Sequence, residues 1–268
     1  MSSASDISRS QKRYTSKIIK AGALLADTKT MLAQWDENSS VSDNLNRFRR
    51  ENIFGKASRS RIEDILVIFR QRYLTSEAVT RSLAILVRDG LSSEALDCIF
   101  YFYAAQADPL LHDIVTDVLF HFFTDGKTDV TIEDIKAVVG RWVAEGKAIE
   151  NWSENTIIRV SQGLMATLRD FGILQGMVNK RLAPVYLPTE AFAYLAFYIR
   201  QTQPSGERLL SDPAWQLFFL PRQAVERLCI EAHQHHLLEY HAAGSIIRIT
   251  FPSQSLEEYA HALTQRAS

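Results

Sequence analysis

Cysteine is scarce in this chain. There are two in 268 residues, Cys98 and Cys229, far apart and with no second cysteine or histidine at ligand spacing. This argues against a disulfide scaffold or a zinc site and fits a reducing cytosol, with both thiols read as small buried hydrophobes. Long apolar runs are missing too. The most apolar stretch, CIFYFYAA at 98–105, spans eight residues, whereas a membrane helix needs about 20. It reads as a core helix, its aromatics as core packing, and no membrane partner is expected. The opening residues, MSSASDISRSQKRY, are polar and lack the apolar stretch of a signal peptide, so a cytoplasmic location is expected.

Catalytic signatures are equally absent. There is no G-x-x-x-x-G-K-[ST], no G-x-S-x-G, no H-E-x-x-H and no dinucleotide glycine fingerprint. EGK at 145–147 has the E-x-K letters of some nucleases but falls at a helix end, not on a strand. HQHHLLEYH holds His233, His235, His236 and His241. On a helix, 233 and 236 share a face, 235 points elsewhere, and no carboxylate completes a metal set. No metal, no cofactor and no enzymatic activity are therefore expected.

What is present is ordinary globular composition, 46% hydrophobic and 23% charged, with uneven charge. The net charge is −1, but residues 1–88 carry 16 Lys+Arg against 9 Asp+Glu, a net of +7, and residues 89–268 carry 14 against 22, a net of −8. Such asymmetry hints at a polyanionic partner.

The periodicity is mostly helical to residue 150. Leu24, Leu25, Thr28, Met31 and Leu32 share one face, as do Ile62, Ile65, Leu66, Phe69 and Tyr73 in SRIEDILVIFRQRYL, which Ser60 and Glu63 would open as a capping box. Helices follow at 76–88, 92–106 and 109–124, then a loop at 123–129, then a helix opened by Thr131 and Asp134. After 150 the pattern changes. A helix runs from Ser153 to a stop at Gly172, and strand-like runs 173–178 and 183–187 flank the polar turn NKR, with Pro184 arguing for a sheet edge. A helix over 189–201 comes next. The order then recurs: a short helix at SDPAWQLFF, a longer one from Pro221, and a hairpin pairing 237–242 with 246–251. A last helix is boxed by Ser255 and Glu258. Residues 131–187 and 211–251 thus share the plan helix, helix, hairpin, which is the plan of a winged helix-turn-helix. The fold expected is mainly α: a helical bundle with two winged helix-turn-helix-like units, each ending in a short β-hairpin. The expected divisions are 1–125, a basic helical domain; 126–188, the first winged unit; and 189–268, a linking helix and the second.

Two regions are candidates for nucleic acid. On the helix 153–171, Ile157, Val160, Leu164, Leu168 and Phe171 cluster on one side, and Asn155, Arg159, Gln162 and Arg169 on the other. Arg, Asn and Gln suit the guanine and adenine edges of the major groove. Lys180 and Arg181 would form a basic wing tip for phosphate. In the second unit Gln223, Arg227 and Gln234 are diluted by Glu226, Glu231 and Glu239, and a protein contact or a structural role suits it as well as DNA. The other region is RFRRENIFGKASRSR, 47–61. Arg47, Arg49, Arg50 and Lys56 precede a helix and include the Gly55 turn, whose N–H groups could meet phosphate. On that helix Arg59 and Arg70 flank the apolar stripe on one side, Arg61 and Arg72 on the other. A solvated basic surface is the alternative.

The stretches YTSKIIKAGALLADTKTML (14–32), ENIFGKASRSRIEDIL (51–66) and RYL (72–74) resemble the BrxA proteins of bacterial BREX (bacteriophage exclusion) phage-defence systems. The resemblance implies a small, largely helical, non-enzymatic cytosolic protein with winged-helix-like parts. It also implies double-stranded DNA binding and action beside other BREX proteins. Part of that fold has been likened to RNA-binding antitermination factors of the NusB type, which leaves RNA open as a partner. A scaffold that docks other defence subunits is the remaining alternative.

Overall fold

A computed structural model describes residues 14–184, 186–244 and 246–267. The described residues are mostly helical, with two small antiparallel sheets. It folds as two compact units, neither of them a continuous stretch: one takes residues up to Ala23 together with Ala104–Pro184, the other Leu24–Tyr103 with the residues after Pro184. The sequence suggests divisions at 125 and 188, where turn-forming residues gather. Packing groups the chain differently because the short helix Ile18–Ala21 lies on a helix made much later, Glu154–Asp170.

In the first unit α1 (Ile18–Ala21) packs on α10 (Glu154–Asp170). The contact is close: a Cβ at Gly163 would lie 3.1 Å from the carbonyl oxygen of Ile18. Tyr14, just before α1, bridges to Ala148, donates its hydroxyl to Asp113 (2.7 Å) and lies against Trp142. α7 (Pro109–Ile114) is capped by Asp108 with Pro109 in its first turn, and passes through a π turn (Val115–Leu119) into α8 (Phe120–Thr124). β1 (Asp129–Val130) leads into α9 (Ile132–Ala144), which starts at Thr131 as expected, Thr131 and Asp134 making a capping box. α10 follows, capped by Ser153 and stopped at Gly172, whose φ is +77°. β2 (Leu174–Gln175) and β3 (Lys180–Leu182) complete a three-stranded sheet in the order β1-β3-β2, with Asp129 opposite Arg181 and Leu174 opposite Leu182.

Two expectations are corrected here. The second strand is 180–182, not 183–187 (of which Val185 lies outside the described residues), because Gly176 at φ +96° turns the chain early and the bend is 176–179. Of the residues 123–129, read as a loop, 125–128 are turn and coil, while Phe123 and Thr124 finish α8 and Asp129 begins β1; two strand residues are too few to show an alternation.

The second unit contains α2 (Leu25–Ala33), α3 (Val41–Glu51), α4 (Arg59–Tyr73), α5 (Glu77–Arg88) and most of α6 (Ser93–Ala107). It also contains α11 (Thr189–Arg200), α12 (Gly206–Leu210), a 3-10 turn (Pro213–Phe218), α13 (Arg222–Gln234), the hairpin β4 (Glu239–Ala243) and β5 (Ile246–Thr250), and α14 (Leu256–Ala267). Nearly every side of α11 is buried, as its almost uncharged sequence requires. Phe100, Tyr101, Phe102 and Tyr103 are all core. Their polar tips are satisfied: Tyr101 donates to the Leu217 carbonyl (3.0 Å), and Tyr103 meets the hydroxyl of Tyr194, itself 2.7 Å from Ser82. Ser255 and Glu258 bond reciprocally at the start of α14. At α4 the cap is Ser58, accepting from the Arg61 N–H, not Ser60, and Arg72 is buried at 3% exposure rather than standing on a solvent flank. α3 falls in residues where the basic composition hides an apolar seam of Leu45 and Phe48.

Candidate nucleic-acid interface

The first unit builds its candidate surface on α10. Ser153 accepts the Thr156 N–H at 3.2 Å and starts the helix at the residue its sequence indicates. Val160, Ser161, Leu164, Met165, Thr167 and Leu168 turn inward. That leaves Asn155, Arg159 and Gln162 as an exposed row one turn apart. α1 flanks the row on the Gly163 side. On the other side stands the β2–β3 hairpin, and a groove of about 620 Å³ runs between Gln162 and Met165 on α10 and Val178, Lys180 and Arg181 on the hairpin.

Lys180 and Arg181 do not sit at the tip of the hairpin. They are strand residues, and the tip is Gly176–Asn179, with Met177 78% and Val178 90% exposed. Arg181 is paired across the sheet with Asp129 (2.8 Å), and Lys180 donates to the Met177 carbonyl (3.1 Å). Arg169 is held by Asp170 (2.7 Å). Arg159 and Lys180 make no ion pair among the described residues. The groove also contains two carboxylates that sequence reasoning missed, Asp129 and Glu133. Asp129 becomes visible as a groove residue only once β1 is recognised.

The basic stretch 47–61 lies in the second unit, and much of its charge is engaged there. Arg49 forms a forked pair with Glu63, its Nη2 reaching Oε2 at 3.0 Å. The guanidinium holds the Glu63 carboxyl below its ordinary range. Arg47 donates to the Gln34 carbonyl and stacks over Phe48, and Lys56 pairs with Asp27 at 3.0 Å. The Gly55 turn offers little to phosphate: the Gly55 N–H bonds the Asn52 carbonyl and the Lys56 N–H bonds Asn52 Oδ1. Asn52 closes this turn from a left-handed conformation, φ +46°. Arg50 and Arg59 are exposed and Arg61 half-exposed, Arg50 beside Glu51. The structure thus gathers Asn155, Arg159, Gln162, Lys180 and Arg181 in one unit, and Arg47, Arg49, Arg50, Lys56, Arg59 and Arg61 in the other.

A stability effect follows for Arg49. Arg49→Ala is expected to lower stability by about 0.2–1 kcal/mol at neutral pH, the range of half-exposed ion pairs. Because the Glu63 pKa is lowered in the folded state, the contribution is present above the unfolded glutamate pKa and fades as pH falls through the lowered value. Urea unfolding of both proteins at neutral and acid pH checks it.

The second unit's helix and hairpin, α13 with β4–β5, turn their acids onto neighbours. Glu226 accepts from Tyr240, Glu231 from Thr189 and Glu239 from Thr250, while Arg222 bridges to Glu207 (2.8 Å). Burial and Glu226 push the Tyr240 hydroxyl up to about 12. α13 ends at Gln234, so His235 and His236 leave the helix; His233 accepts the Tyr240 N–H and faces His241. Among the described residues no group of three or more His, Cys, Asp or Glu could hold a metal ion.

Residues 12–198 match the BrxA family profile. The chain belongs to the BrxA family. That membership associates this BrxA chain with BREX phage defence. A solved structure, titled as that of an uncharacterized protein from Magnetospirillum magneticum, is similar to it with a TM-score of 0.61 and 17% identity. The match covers 78% of this BrxA chain and 100% of the other, and shows a shared fold. No curated protein matches. Among the described residues no helix is long and apolar enough to cross a membrane.

Proposed function

We propose that this BrxA-family chain is a non-enzymatic, double-stranded DNA-binding accessory protein of a BREX system, and that residues 129–182 act as a winged helix. The reading rests on one observation: the exposed Asn155, Arg159 and Gln162 row of α10 stands beside a β-hairpin, and Arg159 and Lys180 carry charge that no carboxylate among the described residues engages. In such a unit the second helix of the pair enters the major groove, where Arg, Asn and Gln recognise base edges, and the hairpin meets the backbone. The sheet order β1-β3-β2 supports it, since β1 before the helix pair anchors the hairpin that follows. Binding is expected to be dominated by phosphate contacts with modest sequence preference. The absence of nucleophile, phosphate-loop and metal constellations motivates the non-enzymatic part.

A salt titration of binding to duplex DNA, single-stranded DNA and RNA is the test. Duplex is expected to bind best, with log K falling on log[salt] at about −0.9 per phosphate neutralised. Preference for RNA would favour the antitermination-like alternative. The carboxylates Asp129 and Glu133 in the same groove favour a second reading, a scaffold that docks other BREX proteins. That reading takes over if no duplex binds even at low salt.

A further inference from the structure

The hairpin tip has a chemistry that phosphate binding does not use. Met177 and Val178 are the most exposed large apolar side chains among the described residues, at 78% and 90%. They are held out on a tight turn. Gly176 has φ +96°, and a Cβ there would come within 2.2 Å of the Asn179 carbonyl oxygen, so the bend is tight enough to require glycine. Lys180 Nζ ties back to the Met177 carbonyl at 3.1 Å, and Arg169 Nη1 lies 4.0 Å from the Met177 sulfur. The strand residues beside the tip are polar, Gln175 and Lys180. Val178 and Gln162 line the same groove, so a ligand that reaches Gln162 along it also meets the tip.

We propose that Met177 and Val178 form an apolar wedge that enters a base step of the bound duplex and kinks it. This deepens, and rests on, the duplex-DNA reading. Two side chains are far short of the roughly 800 Å² that each partner of a stable protein interface buries. They suit instead the small apolar wedges that side chains drive between partly unstacked bases. The cations around the tip, Lys180, Arg169 and Arg181, stand where the flanking phosphates of such a step would lie, Arg169 and Arg181 sharing their charge with Asp170 and Asp129. Because the cost of kinking depends on the step, pyrimidine–purine steps are the preferred entry. The wedge would thereby give sequence preference without a base-edge contact.

The experiment is energy transfer across an end-labelled duplex with a central TA step, with 2-aminopurine reporting unstacking at that step. Wild-type protein is expected to bend the duplex by about 20° or more and brighten the 2-aminopurine. A Met177→Ser/Val178→Ser double variant is expected to lose both signals, keeping the salt slope that counts phosphate contacts. A Met177→Leu/Val178→Ile variant is expected to retain both. A wild-type complex that binds duplex with a steep salt slope yet leaves it straight overturns the wedge and leaves the DNA reading standing. So does a serine variant that bends as the wild type does. Absence of any duplex binding overturns both.

Discussion

Duplex affinity is expected to fall roughly 100-fold or more at low salt in an Arg159→Glu/Lys180→Glu double variant, measured by fluorescence anisotropy. Neither cation makes an ion pair among the described residues, so reversing them removes attraction, adds repulsion to phosphate and breaks no salt bridge; the internal bond given up is that of Lys180 to the Met177 carbonyl. Arg181 would be a poorer choice. Glu there would face Asp129 across β1 and β3, and lost binding would be confounded with a loosened sheet. The two single variants should also differ in kind. Arg159 lies on the row suited to base edges and should alter sequence preference. Lys180 lies on the hairpin strand and should weaken all duplexes alike while flattening the salt slope by about one phosphate contact. A double variant within threefold of the wild type would move the interface off α10.

The largest stability effect is expected at Trp215 in the second unit. Its ring is buried against Phe192, with centroids 5.0 Å apart, and its indole N–H donates to the Leu209 carbonyl at 2.7 Å. Trp215→Ala empties that volume and removes the donor. The cost should be about 3–5 kcal/mol, a large part of the roughly 5–15 kcal/mol that holds a domain folded. Trp215→Phe keeps most of the apolar contact but not the donor, and should cost about 1–3 kcal/mol. Circular dichroism during urea unfolding separates the three proteins. Equal midpoints for wild type and Trp215→Ala would mean that the ring is not packed as described.

The helices were legible because their signals are local. Thr131, Ser153 and Ser255 cap the helices they appear to cap, and Gly172 stops α10. The outward row Asn155, Arg159 and Gln162 followed from 100° per residue alone, and the second hairpin from its β-branched run. Other features depend on partners distant in sequence. β1 has two residues and is a strand only because β3 lies beside it. The strand Lys180–Leu182 was hidden because charged residues at a turn-like NKR look like a tip. Arg49, Arg47 and Lys56 look available until Glu63, Gln34 and Asp27 are seen beside them. Positive charge in a sequence says nothing of which cations a fold has already engaged.

The interleaved course of the chain sets the order in which it can fold as it leaves the ribosome. α5 buries Leu83, Ile85 and Leu86, and the helix laid along it is α14. At about 5–20 residues per second, residues 104–184 alone take roughly 4–16 s to synthesise. During that time the first unit can close, since its last residue is Pro184. The second unit is still half made, its early helices waiting with apolar faces uncovered. The first unit is thus the part that can be complete first, while the apolar faces of the second unit's early helices stay uncovered until the residues after Pro184 are made.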